Sequence, residues 1–332
     1  MEVGPAVTAF RAWAPGRVCL FGEHQDYLGW PVVAGAIDLA CQIHFRPSPS
    51  PLLHLALPDI ARTASWPDPP TGRPFDYLTA AWTVQPVTGW TAEVRSTLPR
   101  QAGASSSTAL VTAWVAGLHH AAGRTLTAAD LASAAHHAEV IAQGEPGGQM
   151  DHLAIAHGGL HAFHFDGTPP EPLPLPDVAC LLIDTQEPKQ TLAVLARSKA
   201  ARVRLVADPA SASSTAERAL LDATYASRDV SAEGTEALRR GDLPAVGAAL
   251  NAHHAFLRDH LEVSTLRLEA VLAAALAHGA YGGKLNGSGG GGTAVVLAPP
   301  SRVPAISEAV RAAGGVPHLV QLGAPGAHIL PA

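Results

Sequence analysis

Residues 14–27, Ala-Pro-Gly-Arg-Val-Cys-Leu-Phe-Gly-Glu-His-Gln-Asp-Tyr, constrain the fold of this chain more than any other segment. Pro15-Gly16 favours a tight turn, and the apolar run 18–21 that follows is typical of a strand. Four polar or charged side chains flank this run and Gly22: Arg17, Glu23, His24 and Asp26. Such a group is costly in a core but suits a site for a hydroxylated ligand. The segment therefore predicts a strand that ends at a binding site.

Length and composition indicate a globular enzyme. The chain has 332 residues, of which 47% are hydrophobic and 15% charged, enough for one large domain or two ordinary ones. A net charge of -6 argues against a nucleic-acid or anionic-membrane partner. Three widely separated cysteines indicate buried thiols in a reducing compartment. Because no signal peptide and no membrane-spanning apolar run is visible, we expect a cytoplasmic protein.

Two proline-rich stretches divide the chain. Residues 47–74 predict an irregular insertion after a strand over 32–46, and residues 167–177 a connector. We therefore expect an N-terminal domain over 1–172 and a C-terminal domain over 173–332. Periodicity predicts strands at 91–96, 160–165, 179–185, 281–286, 293–298 and 318–322, and helices at 106–122, 127–142 and 301–313, with a helical tract over 189–278 interrupted near Ser231 and Gly241. Strands followed by helices in each half indicate an α+β fold.

A serine-rich segment opens the helix predicted over 106–122. Gly103 allows the backbone to approach a ligand closely, and three hydroxyls follow where the helix begins, on Ser105, Ser106 and Ser107. The free N–H groups and the dipole of a helix N-terminus favour a phosphate, and a serine hydroxyl can join a magnesium shell. An ordinary serine N-cap is the alternative. The segment is not a Walker P-loop, because no Gly-Lys-Ser/Thr follows.

A second glycine-rich segment lies at 283–293. Gly287, Gly289 and Gly292 satisfy the G-x-G-x-x-G spacing of dinucleotide-binding proteins. That motif requires a helix after the glycines, whereas 293–297 is typical of a strand. The apolar runs on both sides argue against a flexible linker. We therefore expect a structured loop.

Two acids supply candidate acid–base chemistry. Glu139 lies on the helix predicted over 127–142, and Asp151 follows Gly148 and Met150. One carboxylate can neutralise magnesium while another orients or deprotonates an attacking hydroxyl. Taken in isolation, two such acids are more often solvated surface charges.

Taken in order, these segments resemble the signatures of the GHMP kinases, small-molecule kinases named for galactokinase, homoserine, mevalonate and phosphomevalonate kinases. Residues 22–27 have the Gly-Glu-His-x-Asp-Tyr form of the galactokinase branch, 103–108 resembles Gly-Leu-Ser-Ser-Ser-Ala, and 284–292 resembles Lys-x-x-Gly-x-Gly-x-Gly-Gly. The step of twelve residues from Glu139 to Asp151 also matches galactokinases. The resemblance implies a two-domain α+β fold with the active site in the cleft between the domains.

The resemblance also implies roles for single residues. Asp151 would face the attacking hydroxyl, and Arg17 would keep it ionised. The implied sets are Glu23, His24, Asp26 and Gly148 for the sugar, Gly103, Ser105, Ser106, Ser107, Gly287 and Gly289 for ATP, and Ser107 with Glu139 for Mg²⁺. The implied reaction transfers the γ-phosphoryl group of MgATP to the anomeric hydroxyl of a monosaccharide, with galactose the first candidate.

The resemblance to galactokinases is weaker in the segments that would contact the sugar. Galactokinases carry a sugar-contacting tyrosine before an Arg-Arg pair, but residues 184–204 contain no tyrosine, and Gln25 replaces a threonine. Losing one hydroxyl contact can change specificity by a few kcal/mol. Kinases acting on L-arabinose or on mevalonate, and a sugar- and ATP-sensing protein without turnover, therefore remain alternatives.

Overall fold

The computed structural model describes residues 8–99, 103–145, 147–188 and 191–332, with only the backbone for 191–198. Its strands are β1 (Phe10–Phe21), β2 (Val32–Pro47), β3 (Leu53–Leu57), β4 (Arg62–Trp66), β5 (Trp90–Ser96), β6 (Leu160–Phe163), β7 (Glu171–Pro172), β8 (Ala179–Asp184), β9 (Gly282–Asn286), β10 (Thr293–Ala298), β11 (Val316–Val320) and β12 (His328–Pro331). Its α-helices are α1 (Phe75–Val84), α2 (Ser106–Ala121), α3 (Ala128–His136), α4 (Met150–His157), α5 (Thr191–Ala207), α6 (Thr215–Arg239), α7 (Leu243–Asp259), α8 (Leu266–Ala277) and α9 (Val303–Ala312). The α+β prediction is confirmed.

The first sheet is built on a long antiparallel pair, β1 with β2. The strand order is β12-β1-β2-β5-β3-β4, and β6 joins β2 and carries β7. Helix α2 packs against β1 and β2 with an apolar face that includes Trp114, which is buried against the rings of Phe45 and Trp66. Packing in this core fixes the position of the end of β1 and therefore of Glu23, His24 and Asp26, which follow it.

The second sheet is antiparallel throughout, in the order β11-β8-β10-β9. Strands β8 and β10 are buried almost completely, as their continuous apolar runs predict. Helices α8 and α9 pack on this sheet, while α7 contacts β9 and pairs with α6. The glycine-rich loop between β9 and β10 is thereby held at one end of the sheet.

Several local expectations differ from the structure. The predicted irregular insertion contains the antiparallel pair β3–β4. Helix α6 continues through Ser231, whose hydroxyl is satisfied inside the helix by donating to the carbonyl of Ser227. The helix predicted over 127–142 ends in a π-helical turn, His137–Ile141. Helix α4, which carries Asp151, was not predicted.

The two halves of the chain share the first sheet. Strand β8 opens the second sheet just after the predicted connector, but β12 returns to pair with β1, placing His328 opposite Trp13. The boundary at 172/173 stays a prediction. The thiols of Cys19, Cys41 and Cys180 are free and buried, as expected. In the part of the chain that the structure describes, no helix is long and apolar enough to cross a membrane.

Candidate active site

The centre of the site is an ion pair between Arg17 on β1 and Asp151 in the first turn of α4. Arg17 Nε donates to Asp151 Oδ1 at 2.7 Å and Nη2 donates to Oδ2 at 2.9 Å. The Arg17 side chain is 2% exposed and that of Asp151 is 28% exposed. Burial lowers the pKa of Arg17, but the Asp151 carboxylate, with smaller contributions from Cys19 and Glu23, raises it, and together they place the pKa above the ordinary value. The pair therefore joins a buried, permanent cation to a carboxylate that solvent and a ligand can reach.

The loop before α2 closes over this pair. Arg17 Nη1 donates to the carbonyl of Gly103 at 2.6 Å, and the Ser105 hydroxyl donates to Asp151 Oδ2. Gly103 and Ser105 both have positive φ angles, of 83° and 58°. A Cβ at Gly103 would lie 2.8 Å from the carbonyl oxygen of Asn286, so only glycine allows this approach. The loop thus brings the helix N-terminus next to the ion pair.

The other serines begin α2. Ser105 occupies the N-cap position, and Ser106 and Ser107 follow in the first turn. Ser105 is buried, Ser106 is half-buried and Ser107 is exposed. Within the described residues the Ser107 hydroxyl makes no hydrogen bond. The first turn of α2 thus offers backbone N–H groups and a free hydroxyl to a ligand.

Asp26 is held beside the same pair by Gly148. Its Oδ1 accepts from the backbone N–H of Tyr27 at 2.9 Å, and its Oδ2 accepts from that of Met150 at 3.3 Å. A Cβ on Gly148 would fall 1.7 Å from Asp26 Oδ2, so the carboxylate occupies the space that glycine leaves. Burial raises the pKa of Asp26, and the nearby charge of Asp151 also raises it. Two acids with different environments therefore share one site.

His24 and Glu23 lie deeper than expected. His24 is 5% exposed, with its Nε2 3.1 Å from the carbonyl oxygen of Ser288. Glu23 is 1% exposed, and its carboxylate forms an ion pair with Lys284 and accepts from the backbone N–H of Gly287 at 3.1 Å. Both Glu23 oxygens therefore have protein partners. The predicted sugar contacts of these two residues stay predictions.

Glu139 lies in the π-helical turn, next to α4. It is 7% exposed, and its Oε2 lies 2.9 Å from Nε2 of the buried His152. Within the described residues its Oε1 accepts no hydrogen bond. One free oxygen of a buried carboxylate fits a hard divalent cation. Glu139 and Ser107 are therefore compatible with the predicted magnesium site, which stays a prediction.

The glycine-rich segment is an ordered loop, as expected. Gly287 and Gly289 have φ angles of 87° and 79°. A Cβ on Gly289 would lie 2.4 Å from the carbonyl oxygen of Val263, so the loop packs directly on the chain that follows α7. Their predicted contact with ATP stays a prediction.

Four buried polar residues around the site were not predicted from the sequence. Lys284 and Asn286 are fully buried on β9, and His253 is fully buried on α7. Arg202 on α5 is also fully buried and donates through Nη1 to the carbonyl of His24 and, at 3.0 Å, to the hydroxyl of Tyr27. Lys284 and Asn286 lie in the glycine-rich segment 283–293, so their place in that segment could have marked them as site residues. Nothing local marks Arg202 or His253 as buried.

Sequence comparison finds three family patterns in this chain. The pattern described as "Galactokinase galactose-binding signature" matches residues 4–47. The "GHMP kinases N terminal domain" matches residues 75–159, and "GHMP kinases C terminal" matches residues 235–316. Together they cover all four segments that form the site.

Relatives of two activities align over most of the chain. A galactokinase of Bos taurus is 29% identical over 336 residues, covering 90% of this chain and 86% of its own length. A mevalonate kinase of Thermococcus gammatolerans is 27% identical over 341 residues, covering 96% and 97%. The crystal structure of Lactococcus lactis galactokinase complexed with galactose superposes with a TM-score of 0.86 at 19% identity, covering 98% of this chain and 96% of that one. The overall fold is therefore the predicted two-domain fold.

Proposed function

The chain belongs to the GHMP kinase family, MgATP-dependent phosphotransferases with an alcohol acceptor, and we propose that its acceptor is a monosaccharide, galactose first. The observation that carries the proposal is the Arg17–Asp151 pair, with Asp26 on one side and the N-terminus of α2 on the other. A carboxylate between a polar pocket and a phosphate-binding helix end can orient a hydroxyl for phosphoryl transfer.

Asp151 acts on the attacking hydroxyl. Its exposed carboxylate accepts the proton of the acceptor hydroxyl or orients that hydroxyl toward the phosphoryl group. Arg17 and the Ser105 hydroxyl donate to this carboxylate and stabilise its ionised form. Arg17 also places a positive charge where the transferring group gains negative charge.

The triphosphate lies against the two glycine-rich loops. The N–H groups at the start of α2 and the hydroxyls of Ser106 and Ser107 bind phosphate oxygens. The loop around Gly287 and Gly289 covers the nucleotide from the second sheet. Glu139 and Ser107 would hold Mg²⁺, which would offset phosphate charge.

The acceptor lies on the side of Asp26. This carboxylate accepts hydrogen bonds from sugar hydroxyls, and Gly148 leaves room for it. His24 and Glu23 are assigned to the same pocket, although the carboxylate of Glu23 is engaged by Lys284 and Gly287. The galactose-binding signature over residues 4–47 includes all three side chains and supports a sugar.

Mevalonate is the second candidate acceptor. The supporting observation is the alignment with a mevalonate kinase, which covers 96% of this chain against 90% for the galactokinase. A C1-hydroxyl of a sugar and the primary hydroxyl of mevalonate differ in their polar surroundings. An acceptor panel therefore separates the two.

The test is kcat/KM for galactose, L-arabinose, galactosamine, glucose and mevalonate in an assay coupled to ADP release. We expect turnover of galactose and of at least one related sugar, with phosphate located at C1 by NMR. Glucose, the C4 epimer, should be much poorer, since a polar pocket left unpaired penalises the wrong isomer. Turnover of mevalonate alone, or equal use of glucose and galactose, would contradict the sugar assignment.

A further inference from the structure

Strand β9 of the second sheet contacts β1 of the first sheet through side chains. The backbone N–H of Cys19 donates to Asn286 Oδ1 at 2.9 Å, and the Cys19 carbonyl accepts from Lys284 Nζ at 3.0 Å. Lys284 and Asn286 are two residues apart on a strand, so their side chains share one face. The second sheet thus holds both backbone polar groups of one residue of β1.

Asn286 also reaches the loop before α2. Its Nδ2 donates to the carbonyl of Gly103 at 3.1 Å, the oxygen that also accepts from Arg17 Nη1 at 2.6 Å. Asn286 therefore bonds both to Cys19, two residues after Arg17, and to the Gly103 carbonyl that orients the Arg17 guanidinium. The Asn286 side chain therefore connects β1, which carries Arg17, with the loop before α2, whose Gly103 carbonyl accepts from the Arg17 guanidinium.

Lys284 is a structural cation. Its ammonium is fully buried and donates to the carbonyls of Cys19 and Leu285, the latter at 2.8 Å, and to the Glu23 carboxylate. An ammonium has three N–H donors, and all three are used. Lys284 therefore has no donor left for a phosphate. Its role is to hold β1 and the start of the Glu23 loop.

We propose that Asn286 and Lys284 are positioning residues that set the Arg17–Asp151 geometry from the second sheet. They act through Cys19, Gly103 and Glu23. The inference rests on the proposed function only in treating Arg17 and Asp151 as the catalytic pair. Since a misplacement of about 1 Å can cost on the order of 100-fold in rate, loss of these bonds lowers kcat more than it weakens substrate binding.

The kinetic test uses variants of Asn286. Asn286→Leu keeps a similar volume and removes the bonds to Cys19 and Gly103, and also the bond from Nδ2 to Thr293 Oγ1 at 3.3 Å. Asn286→Asp keeps the acceptor for Cys19 but loses the donor to Gly103 and Thr293. Asn251→Leu is the matched control, since Asn251 Oδ1 accepts from the N–H of Gly283 at 3.0 Å on the same strand. We expect kcat to fall at least about 10-fold in both Asn286 variants, with KM for ATP and acceptor within about threefold. An equal loss in the control would overturn the proposal.

Hydrogen–deuterium exchange tests the contact without any activity. The amide of Cys19 should exchange faster in Asn286→Leu than in the wild type, and at the wild-type rate in Asn286→Asp and Asn251→Leu. If the wild type phosphorylates no acceptor, the proposed function fails. Exchange of the Cys19 amide still tests whether Asn286 bonds to Cys19. Unchanged exchange in Asn286→Leu, or faster exchange with kcat within about twofold of wild type, would overturn the positioning role.

Lys284 needs a paired substitution. Lys284→Met alone leaves the Glu23 carboxylate buried without its cation, which is strongly destabilising. Lys284→Met with Glu23→Gln removes both charges and should fold. We expect this double variant to lose kcat as Asn286→Leu does. A double variant that folds and keeps the kcat of wild type would remove Lys284 from the proposal.

Discussion

At the scale of single residues, the site depends on how much each charge is exposed. Arg17 is buried and each of its three side-chain nitrogens donates a hydrogen bond, whereas Asp151 is 28% exposed. The buried cation stabilises the carboxylate, and the exposed carboxylate remains accessible to an acceptor. Asp26 lies close to Asp151 but in a different environment, because burial raises its pKa. Two acids with separated environments can take separate roles.

We expect Asp151→Asn to lose turnover while ATP and sugar still bind. The amide keeps the shape of the side chain but cannot accept a proton, and loss of a positioned acid–base group costs on the order of 100-fold or more. Steady-state kinetics and direct binding measure the two effects separately. Asp130→Asn, on the exposed first turn of α3, is the control. Kinetics within a few-fold of wild type would remove Asp151 from its role.

We expect Glu139→Gln to raise the magnesium concentration needed for half-maximal activity. Glutamine can still bond His152, as Glu139 does at 2.9 Å, but it lacks the charge that a hard divalent cation prefers. A magnesium titration of activity measures this change, and the KM for the sugar should move much less. Glu93→Gln, on β5, is the control. A titration that superimposes on that of wild type would refute the metal assignment.

At the scale of elements, close packing of backbone segments determines where the polar groups of the site lie. Gly103 brings the loop before α2 against the chain at Asn286, and Gly148 brings the start of α4 against Asp26. Helix α7 places His253 in full burial, with its Nδ1 accepting from the N–H of Gly22 at 3.4 Å. His254, the next residue, is also buried, and its Nδ1 accepts from the backbone N–H of Leu285 on β9 at 3.3 Å.

We expect Gly148→Ala to raise the KM for the sugar about 10-fold to 100-fold, with little change in the KM for ATP. The new Cβ would occupy the position of Asp26 Oδ2, only 1.7 Å away, so the carboxylate must move. Steady-state kinetics with each substrate varied in turn will show this. Gly147→Ala is the control, because its Cβ would meet Val140 at 3.0 Å and not Asp26. An unchanged sugar KM would place the acceptor elsewhere.

We expect buried His253 to make the protein less stable in mild acid. Burial lowers its pKa well below the ordinary value of 6.5, so below that pH the unfolded chain binds a proton that the folded chain does not. Stability is therefore lost as the pH falls through 6.5. In His253→Gln, the slope of unfolding free energy against pH should flatten by up to about 1.4 kcal/mol per pH unit. Urea unfolding at several pH values measures this, with His260→Gln as the control.

At the scale of the whole molecule, the two halves of the chain are interlocked. Strand β12 completes the first sheet from the C-terminal end, and β9 holds β1 through Asn286 and Lys284. The site lies where the two sheets meet. The candidate site is therefore built from residues that lie far apart in the chain.

We expect deletion of residues 327–332 to destabilise the first sheet by about 2 kcal/mol. The deletion removes the ladder to β1, the contact of Ile329 with the core and the ring contact of His328 with Trp13 at 5.0 Å. Denaturant unfolding measures the loss. Deletion of Ala332 alone should have no effect. A longer deletion with unchanged stability would mean that β12 contributes little to the sheet.

The sequence alone determined most of the local structure around the site. Residue types and spacing identified the strand before Glu23 and the start of α2 after Gly103, because turns, caps and periodicity depend on neighbours along the chain. The roles of this loop in phosphate binding and of Glu139 and Asp151 in catalysis stay predictions. The hairpin β3–β4 was missed because prolines at both ends masked its short alternating strands. The resemblance of the four segments to one family then specified the reaction class.

Only the tertiary structure showed the buried contacts that join distant parts of the chain. The resemblance implied that Arg17 acts on Asp151, and the structure shows their ion pair across 134 positions, but the ion pair of Glu23 with Lys284, across 261 positions, was not predicted. Periodicity reports which face of an element is buried, but it does not identify the distant side chain that satisfies a buried charge. For this reason only the packing of β9 against β1 revealed the ion pair of Glu23 with Lys284, and the sugar contact that the resemblance implies for Glu23 stays a prediction.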